Sequence, residues 1–218
     1  PDPYSQVKKE ATKRALDLLP RLRSIIDLSE NKLETAIRLS IAGNIIDFGL
    51  NKDYDLWQEV ERVLTQDITI NDIELLREKL KSASSVLFLA DNAGETVFDL
   101  LLIENLPVPV TYVTRGGPVL NDATCEDAFA AGIDKVAEVM DSGVQAPGTI
   151  LSLSSPDFSE KFNQAELILA KGMGNYETLS EVDAPIFFLL QVKCPVIGRD
   201  IGASVGSTVM KKGIGFRL

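Results

Sequence analysis

One stretch constrains the fold of this 218-residue chain more than any other: Ser85-Val86-Leu87-Phe88-Leu89-Ala90, followed at once by Asp91-Asn92-Ala93-Gly94-Glu95. A continuous apolar run ends on an acid and an amide, a glycine follows, and Glu95 opens the helical pattern Thr96-Val97-Phe98-Asp99-Leu100-Leu101. This reads as a strand buried on both faces, a tight turn and a helix start. Similar short apolar runs, without clean alternation, recur at 109–114, 135–139, 166–170 and 185–190, with helices expected at about 95–106, 122–131, 157–164 and 175–182. Strands and helices in that rhythm predict an α/β fold, a three-layer α/β/α sandwich around a mostly parallel, Rossmann-like sheet built from right-handed crossovers. Such sheets take ligands at the carboxyl ends of their strands.

Before residue 84 the pattern is helical, which predicts an N-terminal helical cap over 1–83 and an α/β metal- and phosphate-binding domain over 84–218. Tyr4 to Leu19 carries Val7, Ala11, Ala15, Leu18 and Leu19 at helical spacing, and Pro20 is expected to break or kink it. Leu33, Ile37, Ile41, Ile45 and Phe48 make one apolar stripe over Lys32 to Gly49. Asp53 to Leu64 is a third helix, and Asn71-Asp72-Ile73-Glu74 reads as a capping-box start for a fourth. Asn44 falls on the apolar seam with Asp47 beside it. Buried polar groups need partners, so this helix either hydrogen-bonds a loop there or faces and closes a ligand crevice.

The chain contains no histidine. Ser-His-Asp and Cys-His catalysis are thereby excluded, as is any imidazole metal site. A metal would bind through oxygen, which selects hard divalent ions. The net charge of -10 opposes nucleic acid and anionic membranes as partners, because both require a basic surface. No apolar run approaches the ~20 residues of a membrane span. Cys125 and Cys194 are far apart and form no zinc pattern. Two reduced thiols without a visible signal peptide predict a cytoplasmic protein. The first residue is Pro1 rather than Met, as expected of a trimmed or incomplete N-terminus.

The segments that follow the strands carry the chemistry. Asp91, Asn92 and Glu95 follow the first, and Arg115-Gly116-Gly117-Pro118-Val119-Leu120-Asn121-Asp122-Ala123-Thr124 follows the second. Asp141 follows the third, and Lys171-Gly172-Met173-Gly174-Asn175-Tyr176-Glu177 the fourth. A parallel sheet gathers these segments along one edge. Carboxylate and amide oxygens there suit a divalent cation, while Arg, Lys, backbone N–H groups and helix N-termini suit a phosphate. Each piece also has a plainer reading, since Asp91-Asn92 and Asn121-Asp122 favour turns and helix caps. Only the joint occurrence after successive strands points to a site.

At these residues the sequence resembles the metal-dependent damage-control phosphatases, long catalogued as a domain of unknown function and related to acidic-residue methyltransferase-like proteins. The matching pieces are Asp2-Pro3-Tyr4 with Lys8, Ala42-Gly43-Asn44-Ile45-Ile46-Asp47-Phe48-Gly49, Asp91-Asn92-Ala93-Gly94-Glu95, Arg115 through Thr124, and Lys171 through Glu177, in order along the chain. The resemblance implies a divalent metal (magnesium, manganese, cobalt or nickel) held by Asp91, Asn92 and Asp122, with Asp127 as the fallback third ligand. It also implies a phosphate pocket lined by Glu95, Arg115, Lys171 and Asn175. Many prokaryotic relatives have a longer N-terminal helical region with a Cys-x-x-Cys pair, which this chain lacks.

The expected activity is hydrolysis of a small phosphorylated metabolite. Asp91, Glu95 and Lys171 are the expected catalytic residues, Glu95 orienting water or accepting its proton. Asn44, Asp47, Arg115, Gly172, Gly174 and Asn175 are expected to bind substrate. Attack by water and attack by an Asp carboxylate both fit this set. An S-adenosylmethionine-dependent carboxyl methyltransferase and a non-catalytic phosphate-binding domain are the alternatives. The sequence leaves the natural substrate and the oligomeric state open.

Overall fold

The structure, a computed structural model, describes residues 2–45 and 56–216. Seven strands form one sheet: β1 (Ile70–Asn71), β2 (Val86–Leu89), β3 (Val110–Thr114), β4 (Glu138–Asp141), β5 (Ile168–Lys171), β6 (Ile186–Gln191) and β7 (Thr208–Lys212). Their order is β1-β7-β6-β5-β2-β3-β4, and every pairing is parallel except β6 with β7. Nine α-helices lie among the described residues: α1 (Ser5–Leu28), α2 (Lys32–Ile45), α3 (Leu56–Thr65), α4 (Ile73–Leu80), α5 (Thr96–Ile103), α6 (Cys125–Ala131), α7 (Pro156–Gln164), α8 (Gly172–Leu179) and α9 (Pro195–Ile201).

Alternation along the strands decides the layers. Val86, Phe88, Tyr112, Leu169 and Phe187 point into one core with residues of α1–α6, whereas Leu87, Leu89, Val113, Ile168 and Phe188 point into another with α7, α8 and α9. Both faces of the sheet are thus covered, which explains why the strand sequences read as unbroken apolar runs. The fold is the three-layer α/β/α sandwich with a mostly parallel sheet that the sequence predicts. The division expected near residue 83 falls between α4 and β2, and a single apolar core runs across it, from Ala15 and Leu22 of α1 to Leu101 of α5.

Three local expectations change. Pro20 does not end the first helix, which continues to Leu28. The proline lies on the exposed side, while Leu22 and Ile26 beyond it are buried in the same core as Ala15, so tertiary packing outweighs the lost hydrogen bond. Asn71 and Asp72 do not form a capping box. Asn71 belongs to β1 and its side-chain oxygen accepts from Ile73 N–H at 3.1 Å, while Asp72 Oδ2 accepts from Lys212 N–H at 2.8 Å. The strand expected at 135–139 begins at Glu138, because Gly132 ends α6 at φ 85° and a 3-10 turn occupies Ile133–Lys135. The expected helix end at Gly49 and helix start at Asp53 lie outside the described residues.

Replacing Pro20 by Ala should stabilise the protein by about 2 kcal/mol, the restored helical hydrogen bond outweighing the added freedom of the unfolded chain. Leu22→Ala should destabilise it by about 2–5 kcal/mol. Urea unfolding midpoints check both, and a destabilised Pro20→Ala variant would contradict the account of α1.

Candidate active site

β2 and β5 lie side by side, yet β2 leads on to β3 at one flank and β5 to β6 at the other. Connections that diverge in this way leave a crevice above the strand ends, the usual ligand position in an open α/β sheet. Asp91 stands just past β2, and Lys171 is the last residue of β5. Gly172 opens α8 at φ +79°, and a Cβ built on it would lie 1.9 Å from Asp91 Oδ2. Backbone conformation and the close approach of Asp91 both require glycine there.

The second wall comes from the segment after β3. Asn92 and Asp122 form an isolated antiparallel bridge. Ala93 N–H donates to Asn121 C=O and Ala123 N–H to Asp91 C=O, each at 2.8 Å. This clasp brings Asp91, Asn92 and Asp122 to one rim. Arg115 lies between the two acids and is buried. Its Nε donates to Asp122 Oδ2 at 2.6 Å, its Nη1 to Asn175 Oδ1 at 3.4 Å, and its Nη2 stands 3.8 Å from Asp91 Oδ1. Nη2 has no hydrogen-bond partner among the described residues. Beside Arg115 opens a cleft of about 670 Å³, with Lys8, Gly117, Thr124 and Asp141 in its lining.

Beneath the rim is a buried polar floor. Glu95 is 1% exposed. Its Oε1 accepts from Asn44 Nδ2 at 2.9 Å and from Asn92 Nδ2, and its Oε2 accepts from Lys171 Nζ at 3.1 Å. The same two amide nitrogens donate to Asp91 Oδ2, at 2.9 Å from Asn44 and 3.2 Å from Asn92. Lys171, 0% exposed, donates also to Ser40 C=O at 2.9 Å and to Asp99 Oδ1 at 2.6 Å. Asp99 accepts further from Ser40 Oγ and from Tyr112 OH, each at 2.8 Å.

Burial pushes the Asp91 carboxyl well above the carboxylate range, reinforced by the negative charges of Glu95 and Asp122 and opposed by Arg115 and Lys171. Asp122 and Asp99 are raised by the same burial, against Arg115 and Lys171 respectively. For Lys171 burial acts downward, but Asp99 and Glu95 outweigh it and the ammonium is held more firmly than usual. Four enclosed carboxylates, Asp91, Glu95, Asp99 and Asp122, thus face two enclosed cations, Arg115 and Lys171. With all four carboxyls ionised the site would lack two positive charges, which one divalent cation would supply. Among the described residues no three His, Cys, Asp or Glu side chains are grouped to hold a metal ion. The oxygens of two carboxylates and one amide, from Asp91, Asp122 and Asn92, fit a hard ion completed by water or substrate.

The site residues expected from sequence largely converge. Asn44 reaches the rim from α2, and Asp47 lies outside the described residues. Gly174, in the first turn of α8, lies against Gly148, whose missing side chain permits the contact: a Cβ on Gly148 would lie 2.3 Å from the Gly174 carbonyl oxygen. Asn175 ties the site together, its Nδ2 donating to Ala90 C=O at 3.0 Å and Lys171 C=O at 2.8 Å while its Oδ1 accepts from Thr149 Oγ1 at 2.8 Å. Asp127 is engaged elsewhere, in a capping box with Thr124 and in an ion pair with Lys8 at 2.7 Å. Ser40, Asp99, Tyr112 and Thr149 were not expected. Of these only Asp99 carried a signal, as the lone charge in the apolar helix Thr96–Ile103.

Comparison with known proteins places the chain in a family. The damage-control phosphatase ARMT1-like domain matches residues 1–209. A protein of Pyrococcus horikoshii named a damage-control phosphatase is 39% identical over 218 residues, covering 95% of this chain and 74% of its own length. One of the same name from Archaeoglobus fulgidus is 39% identical over 219 residues, covering 96% of this chain and 75% of its own. The crystal structure of a DUF89 family protein from Pyrococcus horikoshii superposes with a TM-score of 0.88 at 35% identity, covering 97% of this chain and 75% of that one. On the extent of the domain match and the identity of these relatives, the chain belongs to the damage-control phosphatase ARMT1-like family.

Proposed function

We propose that this chain is a metal-dependent phosphatase that hydrolyses small phosphomonoesters, with sugar phosphates and damaged phosphometabolites as the substrate class. Its relatives' names supply the reaction class. The observation that carries the metal reading is the pair Asp91 and Asp122, from the segments that follow β2 and β3, flanking one buried guanidinium where strand order reverses. Asp91, Asn92 and Asp122 hold the ion, of the magnesium, manganese, cobalt or nickel class, which supplies Lewis acidity to the phosphoryl group. Arg115 offsets phosphoryl charge, and its Nη2, without a hydrogen-bond partner among the described residues, is a donor left for an oxygen of the substrate. Asn175 steadies that guanidinium. The N-terminus of α8 begins against Asp91, where its dipole favours an anion. Methyl transfer finds no support in the β2–α5 connection, a single buried 3-10 turn over Ala93–Glu95.

Phosphate release from p-nitrophenyl phosphate and from mixed sugar phosphates, with Mn²⁺ and with excess chelator, tests the proposal. Chelator should abolish turnover, and Asp91→Ala should lower it by more than about 100-fold while the protein stays folded. Chelator-insensitive hydrolysis, or full activity in Asp91→Ala, would refute the assignment. Gly172→Ala should cost about 1–2 kcal/mol for its left-handed backbone and displace the Asp91 carboxylate, so that calorimetry detects no Mn²⁺ uptake.

Asp91 also sets a pH dependence. Its carboxyl holds a proton more readily in the fold than in the unfolded chain, so its contribution is complete below the ordinary value of 3.8 and is lost as pH rises through the raised folded-state value. With chelator present, the melting temperature should therefore rise as pH is lowered from about 7 toward 5. Asp91→Asn should flatten the slope; an unchanged slope in that variant would assign it to other groups.

A further inference from the structure

An ammonium group has three N–H donors. Those of Lys171 go to Ser40 C=O, Glu95 Oε2 and Asp99 Oδ1, at 2.9, 3.1 and 2.6 Å, in a site with no solvent exposure. None remains for a phosphoryl oxygen. Glu95 is equally committed: one oxygen sits on Lys171 and the other takes the amides of Asn44 and Asn92. Both N–H groups of Asn92 are thereby directed inward, to Glu95 Oε1 and to Asp91 Oδ2. The amide oxygen on the opposite branch is left as the ligating atom.

We propose that Glu95, seated on Lys171, which Asp99 anchors in turn, is a positioning residue that aims the Asn92 oxygen at the cation. Glu95, the last residue of the 3-10 turn, and Asp99 of α5 are four residues apart, and the ammonium between them keeps both carboxylates in place. Ser40 and Tyr112 hold Asp99 in turn. Carboxylates behind a ligand that fix its orientation are a recurrent feature of metal sites, and removing one lowers metal affinity by about 10–100-fold. The inference rests on the metal site proposed above.

Mn²⁺ affinity, measured by calorimetry, separates this role from proton transfer. In Glu95→Gln, Lys171 still takes the side-chain oxygen, so the new NH₂ group faces Asn92 and turns its amide over. Affinity should fall by about 10–100-fold. Adding Asn92→Asp restores an acceptor facing Gln's NH₂ and should recover most of the affinity. Glu95→Asp keeps the charge for Lys171 but withdraws the acceptor from Asn92, so it too should bind Mn²⁺ at least about 10-fold more weakly; this variant decides the matter if Glu95→Gln does not fold. Unchanged affinity in either folded single variant overturns the proposal, as does failure of the double variant to bind better than Glu95→Gln. Wild-type protein that takes up no Mn²⁺ overturns the metal reading and this inference together.

Discussion

One buried ammonium ties four elements of this molecule together. Lys171 ends β5, its partners Glu95 and Asp99 belong to the 3-10 turn and helix after β2, and Ser40 belongs to α2. Such a group is unfavourable in an apolar interior unless it is paired and hydrogen-bonded, and here every N–H is answered. Removing a single partner of a buried ion pair costs about 3–5 kcal/mol, because the remaining charge is left without compensation. The helical layer therefore sits on the sheet in the one register that lets Ser40, Asp99 and Glu95 meet Lys171.

The same register sets the geometry of the rim. Asn44 is on α2 one turn beyond Ser40, so the helix that covers Lys171 also delivers an amide to Asp91 and Glu95. On the other flank Arg115 holds Asp122 against the bridge to Asn92. The chemistry of the crevice is thus a matter of strand order and helix register, and the charge deficit it creates is local to a chain already acidic overall.

Much of this was legible in the sequence, for identifiable reasons. β2, β3, β5 and β6 are buried on both faces, and that environment admits only apolar residues, so their composition marks them. β1 is two residues long, too short for any period, and β7, Thr208-Val209-Met210-Lys211-Lys212, ends in charge. The residue types at the site and their order after successive strands were likewise readable, because the sheet dictates where those segments meet. What the spacing could not carry was direction. Lys171 looked like a phosphate ligand, and only tertiary packing places Asp99 and Ser40 where they enclose it. Asp99 was visible as an isolated charge, but its partners are distant in sequence.

The pairing of β1 with β7 has a mechanical consequence. Residues 70–71 belong to the largely helical first third of the chain, yet they hydrogen-bond to the strand that pairs antiparallel with β6. Peeling the early helices away would strip β7 of its outer neighbour and, through Asp72, of a side-chain bond to the backbone of Lys212. The two stretches are stitched to each other, so local opening at either one loosens the other, and a protease that nicks one should find the second newly susceptible.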